Sequence, residues 1–418
     1  IAADGPQAEV YRISPVEPWR EVRTRLRVSG QAPGPIEGGG RAAGYFTGAT
    51  GGTIYRGDAW PPELRGQALI GDVGSNIVHR KQVDEHGVTF IAQRADEQRE
   101  FVASRDNWFR PVQFANAPDG NLHLIDMYRE VIEHPASLPP QIKSFLDLTS
   151  GRERGRIYRL VWQAAPRRSA PALGQATTPE LVALLEHANG WHRDTAARLL
   201  FERQDQSAVE PLRRLAAASS MPLARMHALY ALAAVSALTE SELLPRLADP
   251  HPRVREHAIR LAERCPGGAA IDAALGDRAV DDDPRVRYQL ALTLATRSSP
   301  RRLAALAKLA VQPDGEPWIR AAIQLAAGSD SLALWNQVVD QASLEPAGSG
   351  QALAPLTAGS IERGSASDAA AILARTAALY QQGSPLAEHC LRGVLLGAGR
   401  SAHRATLHEA WSRQPTLQ

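Results

Sequence analysis

Apolar and polar positions alternate in two short runs on either side of Pro118-Asp119-Gly120: Val112 and Phe114 before it, Leu122 and Leu124 after it. Alternation with period two gives a strand one apolar face, and Asp-Gly supplies turn conformations that strand residues resist, so the stretch predicts a β-hairpin. The pattern recurs upstream, where Gly66 precedes the run Ala68 to Val73 and is followed six residues later by Asp72, as Gly120 is by Asp126. Thr53 to Gly57 and Phe109 to Phe114 are the expected innermost strands, and Val22 to Val28 and Val88 to Gln93 the expected outer ones. A third echo joins Val10-Tyr11-Arg12-Ile13, Val78-His79-Arg80 and Ile157-Tyr158-Arg159-Leu160, whose arginines lie 68 and 79 residues apart. Short strands repeating at this interval predict β-propeller blades, three at most here, where closure needs about four or more. The segment Tyr128 to Arg154 is an insertion in the last blade with a helical stretch from Pro140 to Leu148, placed to serve as a lid or docking surface.

Beyond a Pro- and Ala-rich linker the period changes to that of a helix. Trp191-His192-Arg193, Pro222-Leu223-Ala224-Arg225, Pro252-Arg253-Val254-Arg255, Pro284-Arg285-Val286-Arg287 and Pro317-Trp318-Ile319-Arg320 each open an apolar run, with their arginines 32, 30, 32 and 33 residues apart. Proline suits a first helical turn, where its missing N–H is not needed. Asp249-Pro250-His251-Pro252-Arg253-Val254-Arg255 and Asp281-Asp282-Asp283-Pro284-Arg285-Val286-Arg287 resemble HEAT repeats from Thr178 to about Ser329, with a degenerate copy at Ser384-Pro385-Leu386-Ala387-Glu388. The solenoid arginines are expected at helix starts, paired with Asp of the adjacent repeat. The predicted fold is therefore a partial β-propeller over residues 1–165, a linker over 166–177, and an α-helical HEAT-like solenoid over 178–418, degenerate after about 330.

Composition sharpens this reading at a few points. The formal charge of +2 is too small for a dedicated nucleic-acid binder. Lys81, Lys143 and Lys308 are the lysines in a chain with 47 basic residues, so a single arginine carries little weight as a phosphate ligand. Cys265 and Cys390 have no Cys-x-x-Cys spacing and imply neither a disulfide framework nor a zinc site. No run of about 18 apolar residues predicts a membrane span. The chain opens on Ile1 without a leader pattern, and is expected to be a fragment or a processed product.

Tyr55-Arg56-Gly57-Asp58, Val78-His79-Arg80, Trp108-Phe109-Arg110-Pro111-Val112, Asp126-Met127-Tyr128-Arg129, Ile132-Glu133-His134-Pro135 and Arg154-Gly155-Arg156-Ile157-Tyr158-Arg159 follow one another in an order that resembles the membrane-bound dehydrogenase family of planctomycetes. That resemblance implies a propeller similar to quinoprotein glucose and sorbosone dehydrogenases, followed by HEAT repeats and often by a c-type cytochrome domain. It implies oxidation of a sugar or alcohol, a periplasmic or secreted location, and electrons passed to a separate haem domain or cytochrome partner. A covalent haem is not expected in this chain, because Cys-x-x-Cys-His is missing. Pyrroloquinoline quinone is the implied cofactor, although the strand junction Asp72-Val73-Gly74-Ser75-Asn76 lacks the family's lysine and Trp108 replaces one of its two arginines. Arg110, Asp126 and Arg129 are the candidate cofactor-binding residues, Glu133 and His134 the candidate catalytic ones, and no metal site is nominated. Against these stand plainer readings: Arg110 as a strut between blades, Asp72 and Asp126 as repeated turn acceptors, His79 as packing. The competing function is a non-catalytic propeller and HEAT scaffold that recognises a glycan or a protein on the solenoid.

Overall fold

The structure is a computed structural model that describes residues 7–163, 168–169, 171–265, 268–313, 316–344, 350–402 and 404–413. The chain forms two compact units, residues 1–86 with 90–198, and residues 87–89 with 199–418. Much of the expected linker, including Ala164 and Pro166, lies outside the described residues.

The first unit carries two antiparallel sheets. Strands β1 (Ala49–Ile54), β2 (Ala68–Asp72), β3 (Ile77–His86) and β4 (Thr89–Arg94) lie in that order, with β5 (Val102–Ala103) beside β3. Strands β6 (Pro111–Asn116), β7 (Leu122–Asp126) and β8 (Arg156–Leu160) form the second sheet. The predicted hairpin is present, with Phe114 opposite Leu124 and Asn116 opposite Leu122. Gly120 turns it with φ +83°, a conformation costly for residues bearing a Cβ, while Asp119 Oδ1 accepts the Asn121 N–H at 3.0 Å. One apolar core joins the two sheets: Leu69, Val78 and Tyr55 from the first side, Phe109, Phe114, Leu122 and Leu124 from the second. Tyr55 stacks on Trp60 at 4.2 Å, accepts the N–H groups of Ala59 and Trp60, and donates to the Gly120 carbonyl at 2.7 Å. The end of β1 is thus tied to the hairpin turn.

Two expectations fail here. Val22 to Val28 is not an outer strand but belongs to helix α1 (Pro18–Val28). Pro18 fits the first turn, Arg25 and Arg27 suit the last turn, and Trp19, Val22 and Leu26 recur at helical spacing. Ala8 to Ile13 is not a third echo strand either; it forms one bridge, Glu9 to Tyr45. Among the described residues there are consequently two sheets in place of three blades, and no closed propeller. Within the insertion, α2 (Pro140–Lys143) packs Ile142 against Trp19 of α1, together with Val131 and Leu138. Helix α3 (Thr178–Ala183) follows, opened by the reciprocal capping of Thr177 and Glu180.

Helices make up the second unit. After α4 (Gly190–Arg203), which crosses the boundary, come α5 (Val209–Ala218), α6 (Pro222–Ala234), α7 (Glu240–Leu247), α8 (Pro252–Ala262), α9 (Ala269–Asp277), α10 (Pro284–Thr296), α11 (Arg302–Ala310), α12 (Pro317–Ala327) and α13 (Ser331–Leu344). One row runs α6, α8, α10, α12 and a second α7, α9, α11, α13, each helix packing on its row neighbours as helical repeats do. Ion pairs join successive repeats: Arg225 grips Asp249 with two hydrogen bonds of 2.8 and 2.6 Å, and Arg255 grips Asp281 with two of 2.8 and 2.7 Å. Arg287 donates to the Asp281 carbonyl that precedes its own helix, as Arg255 does to the Asp249 carbonyl, and residue 314, at the place in the next repeat where its partner is expected, lies outside the described residues. Arg193, in the first unit, likewise donates to the carbonyls of His187 and Ala188. Past residue 330 the helices continue with α14 (Gly350–Arg363), α15 (Ala366–Gln381), α16 (Leu386–Ala398) and α17 (Arg404–Ser412). Gly393 lets α16 approach α14 so closely that a Cβ there would lie 2.5 Å from the Ala354 carbonyl oxygen.

Candidate functional site

Arg110 stands where β6 begins, and it is fully buried. Its Nε donates to the Arg129 carbonyl at 2.8 Å, Nη1 to the Val73 carbonyl at 2.7 Å, and Nη2 to both the Glu130 carbonyl at 2.6 Å and Glu17 Oε1 at 3.1 Å. Four donated bonds leave this guanidinium little capacity to grip an outside carboxylate. Glu17 also lies 3.5 Å from Arg12 and 3.6 Å from Arg20, and Arg20 donates to the Gly74 carbonyl at 2.9 Å. Burial opposes ionisation of Glu17, but Arg20, Arg110 and Arg12 prevail and hold its carboxyl below the usual range. Burial pulls Arg110 and Arg12 below the ordinary guanidinium value, with Glu17 opposing that pull. The cluster is a strut that fastens β2, β6, the insertion and the approach to α1.

The other nominated residues gather around this strut in structural roles. Asp126 Oδ1 accepts the backbone N–H of Arg110 at 2.7 Å and of Tyr128 at 2.8 Å. Asp72, its counterpart in the repeat, accepts N–H groups of Thr47, Gly48 and Gly74 at 3.0, 3.0 and 2.9 Å. Arg129 Nη1 donates to the Thr149 carbonyl at 2.8 Å, pinning the insertion to itself. Glu133 and His134 part company. Glu133 pairs with Arg23 of α1 at 3.0 Å, whereas His134 Nδ1 accepts the Ala136 N–H at 3.1 Å and caps a single turn.

These residues do not fit a bound pyrroloquinoline quinone. Its carboxylates need free cationic donors, the guanidinium of Arg110 is occupied by protein carbonyls and Glu17, and the 72–76 junction offers an Asp carboxylate already accepting three N–H groups. Among the described residues no His, Cys, Asp and Glu side chains converge as a metal site. Cys265 and Cys390 are unpaired and buried, and burial pushes the Cys390 thiol up to about 11.

A second cluster lies on β3. His79, expected as packing, has its Nδ1 2.7 Å from Glu100 Oε2, with both side chains almost fully buried. Glu100 Oε1 also accepts the Tyr11 N–H at 3.0 Å and Arg94 Nη1 at 3.1 Å. Burial works against its ionisation, but the bonds from His79, Tyr11 and Arg94 outweigh that and hold the carboxyl below its ordinary range. The Glu100 carboxylate accepts from His79 Nδ1 and so orients the ring, with Nε2 on its other side. His79 lines a cleft of about 660 Å³ together with Tyr11, Phe46, Ile70, Lys81 and Arg94. Its only sequence signal was the polar ring at an inward strand position, because Glu100 lies 21 residues away.

Comparisons with known proteins find two matching stretches in the chain. Residues 3–164 match the model of a domain of unknown function, DUF7133, and residues 240–327 match HEAT repeats. No curated protein matches the chain. Among solved structures, the crystal structure of an engineered protein is similar, with 18% identity over 43% of this chain and 98% of that one and a TM-score of 0.28. Among the described residues no helix is long and apolar enough to cross a membrane.

Proposed function

We propose that this chain is a non-catalytic binding protein whose HEAT solenoid holds a protein partner and whose first unit consists of two consecutive propeller-type blades. The observation that carries the reading is the inward closure of the repeat charges. Arg225 with Asp249 and Arg255 with Asp281 satisfy one another between repeats, so the polar residues the repeats share are structural. The outer faces remain open: Trp318 and Leu325, seven residues apart on one face of α12, are 54% and 70% exposed. Sugar or alcohol oxidation in a periplasmic or secreted setting, with electrons leaving to a cytochrome, is the second reading. It is disfavoured because Arg110 and Glu133 are engaged and His134 caps a turn.

Two assays separate the readings. The full chain is mixed with pyrroloquinoline quinone and Ca²⁺ and assayed with aldoses, primary alcohols and a dye acceptor; the expected result is no saturable quinone binding and no turnover. A photo-crosslinker at Trp318 or Leu325, introduced in the producing cell, is expected to capture one defined protein, whereas one at buried Leu306 captures none. Turnover abolished by Arg110→Lys would restore the dehydrogenase reading.

A further inference from the structure

We infer that the cleft over β2, β3 and β4 is a binding site for a small organic carboxylate with a flat apolar body. The inference stands apart from the reading of the solenoid. A space of about 660 Å³ falls within the usual range for small-molecule sites and is wide enough for a substituted aromatic ring. Its walls supply one aromatic face from Phe46, whose ring meets His79 edge-on at 5.2 Å, and a second from Tyr11, whose ring lies 5.0 Å from the Arg94 guanidinium. Ile70 pairs directly with His79 across β2 and β3, adding an aliphatic patch on the same face.

The charges in the cleft are unequal in their commitments. Arg94 is engaged by Glu100 and by the Glu9 carbonyl, at 3.1 and 2.5 Å. Glu9 is exposed, so water solvates its carboxylate. Lys81 is half-buried, its ammonium makes neither an ion pair nor a hydrogen bond among the described residues, and it follows His79 by two residues on the same strand face. The partly desolvated charge without a counter-ion is therefore positive, and a ligand carboxylate there would form a charge-assisted bond. His79 completes the site. Its Nδ1 is held by Glu100, and Nε2 has no partner among the described residues and is not among the sealed-off polar atoms, so it is available to a ligand hydroxyl or amide.

The test uses the full chain with histidine side chains labelled for NMR, His79→Gln identifying the resonance. Benzoate is the probe, benzamide its neutral isostere, and glucose a neutral polyol. Benzoate is expected to shift the His79 resonance saturably at millimolar concentration, and Lys81→Met to weaken it about tenfold, in line with loss of one charged hydrogen bond. Lys81→Met should leave Tm nearly unchanged, because the ammonium makes no ion pair among the described residues. Benzamide and glucose should leave the resonance in place. Failure of benzoate to saturate, equal binding of benzamide or glucose, or indifference to Lys81→Met would each overturn the proposal.

Discussion

Arg110 shows how much one buried cation is asked to do. Arg110→Ala removes four hydrogen bonds and one of the cations around Glu17, leaving carbonyls of Val73, Arg129 and Glu130 without their donor. Removing one partner from a buried ionic cluster costs about 3 to 5 kcal/mol. Calorimetry of the full chain should therefore show the transition of the first unit falling by roughly 6 to 20 °C while the helical transition stays in place. An unshifted first transition would mean that the guanidinium is free and the ligand-gripping role is its true one. Glu100 gives a test of pH. Its folded pKa lies below its unfolded value, so its stabilising contribution is complete above the ordinary carboxylate range and is lost as pH falls through the depressed value. Glu100→Gln should lower stability at neutral pH and flatten the acid limb of the first unit's pH–stability curve, as followed by urea denaturation between pH 3 and 7. Of these residues the sequence showed the turn acceptors Asp72 and Asp126, whose position after a repeated glycine is local. The partners of Arg110 and His79 come from 93 and 21 residues away, and no local pattern announces them.

At the level of elements, short-period signals were legible and amphipathic ones less so. The 118–120 hairpin and the Pro-led helices declare themselves through turn and cap chemistry within a few residues. Helix α1 hid because Arg20, Arg23 and Arg27, which the eye assigns to a solvated face, are its buried face. Their burial is set by tertiary partners: Gly74 for Arg20, Glu133 for Arg23, and the Ser137 carbonyl for Arg27. In the solenoid the link between α6 and α8 is most exposed to test at Arg225. Arg225→Ala strips Asp249 of its bidentate partner in a buried setting, and about 3 to 5 kcal/mol should be lost. Exposed Arg392 on α16 makes no such contact, and Arg392→Ala should change stability by less than about 0.5 kcal/mol. Equal midpoints for the two variants in guanidinium would sink the claim that the inter-repeat pair holds the stack. Cys390 reports the same packing differently. Its thiol is buried and its pKa pushed up to about 11, so a thiol reagent at pH 8 should label it only as fast as the second unit opens.

For the whole molecule, the change from alternation to helical period correctly announced a sheet-bearing region followed by helical repeats, since that change is written in composition over hundreds of residues. Where one compact unit ends was not written there, because Pro and Ala mark a linker by sequence while contacts decide the unit. Residues 189–194 lie beyond the linker, yet they are fastened to the first unit. Asn189 Nδ2 donates to the Ala117 carbonyl at 2.9 Å, His192 Nε2 lies 2.9 Å from the Pro118 carbonyl, and Gly190 N donates to the Arg56 carbonyl at 2.8 Å. Arg56 adds a bidentate pair with Asp194 at 2.7 and 2.9 Å. That pair is exposed and contributes at most about 1 kcal/mol, whereas the three bonds to backbone carbonyls contribute about 1 kcal/mol each. A fragment of residues 1–198 should therefore melt cooperatively, about 2 to 4 kcal/mol more stable than a fragment of residues 1–165, which leaves the carbonyls of Arg56, Ala117 and Pro118 without these donors. Asn189→Ala in the longer fragment should recover about a third of the difference. Coincident melts for the two fragments would show that the hairpin turn does not need residues 189–194, and would return the end of the first unit to the linker that composition marks.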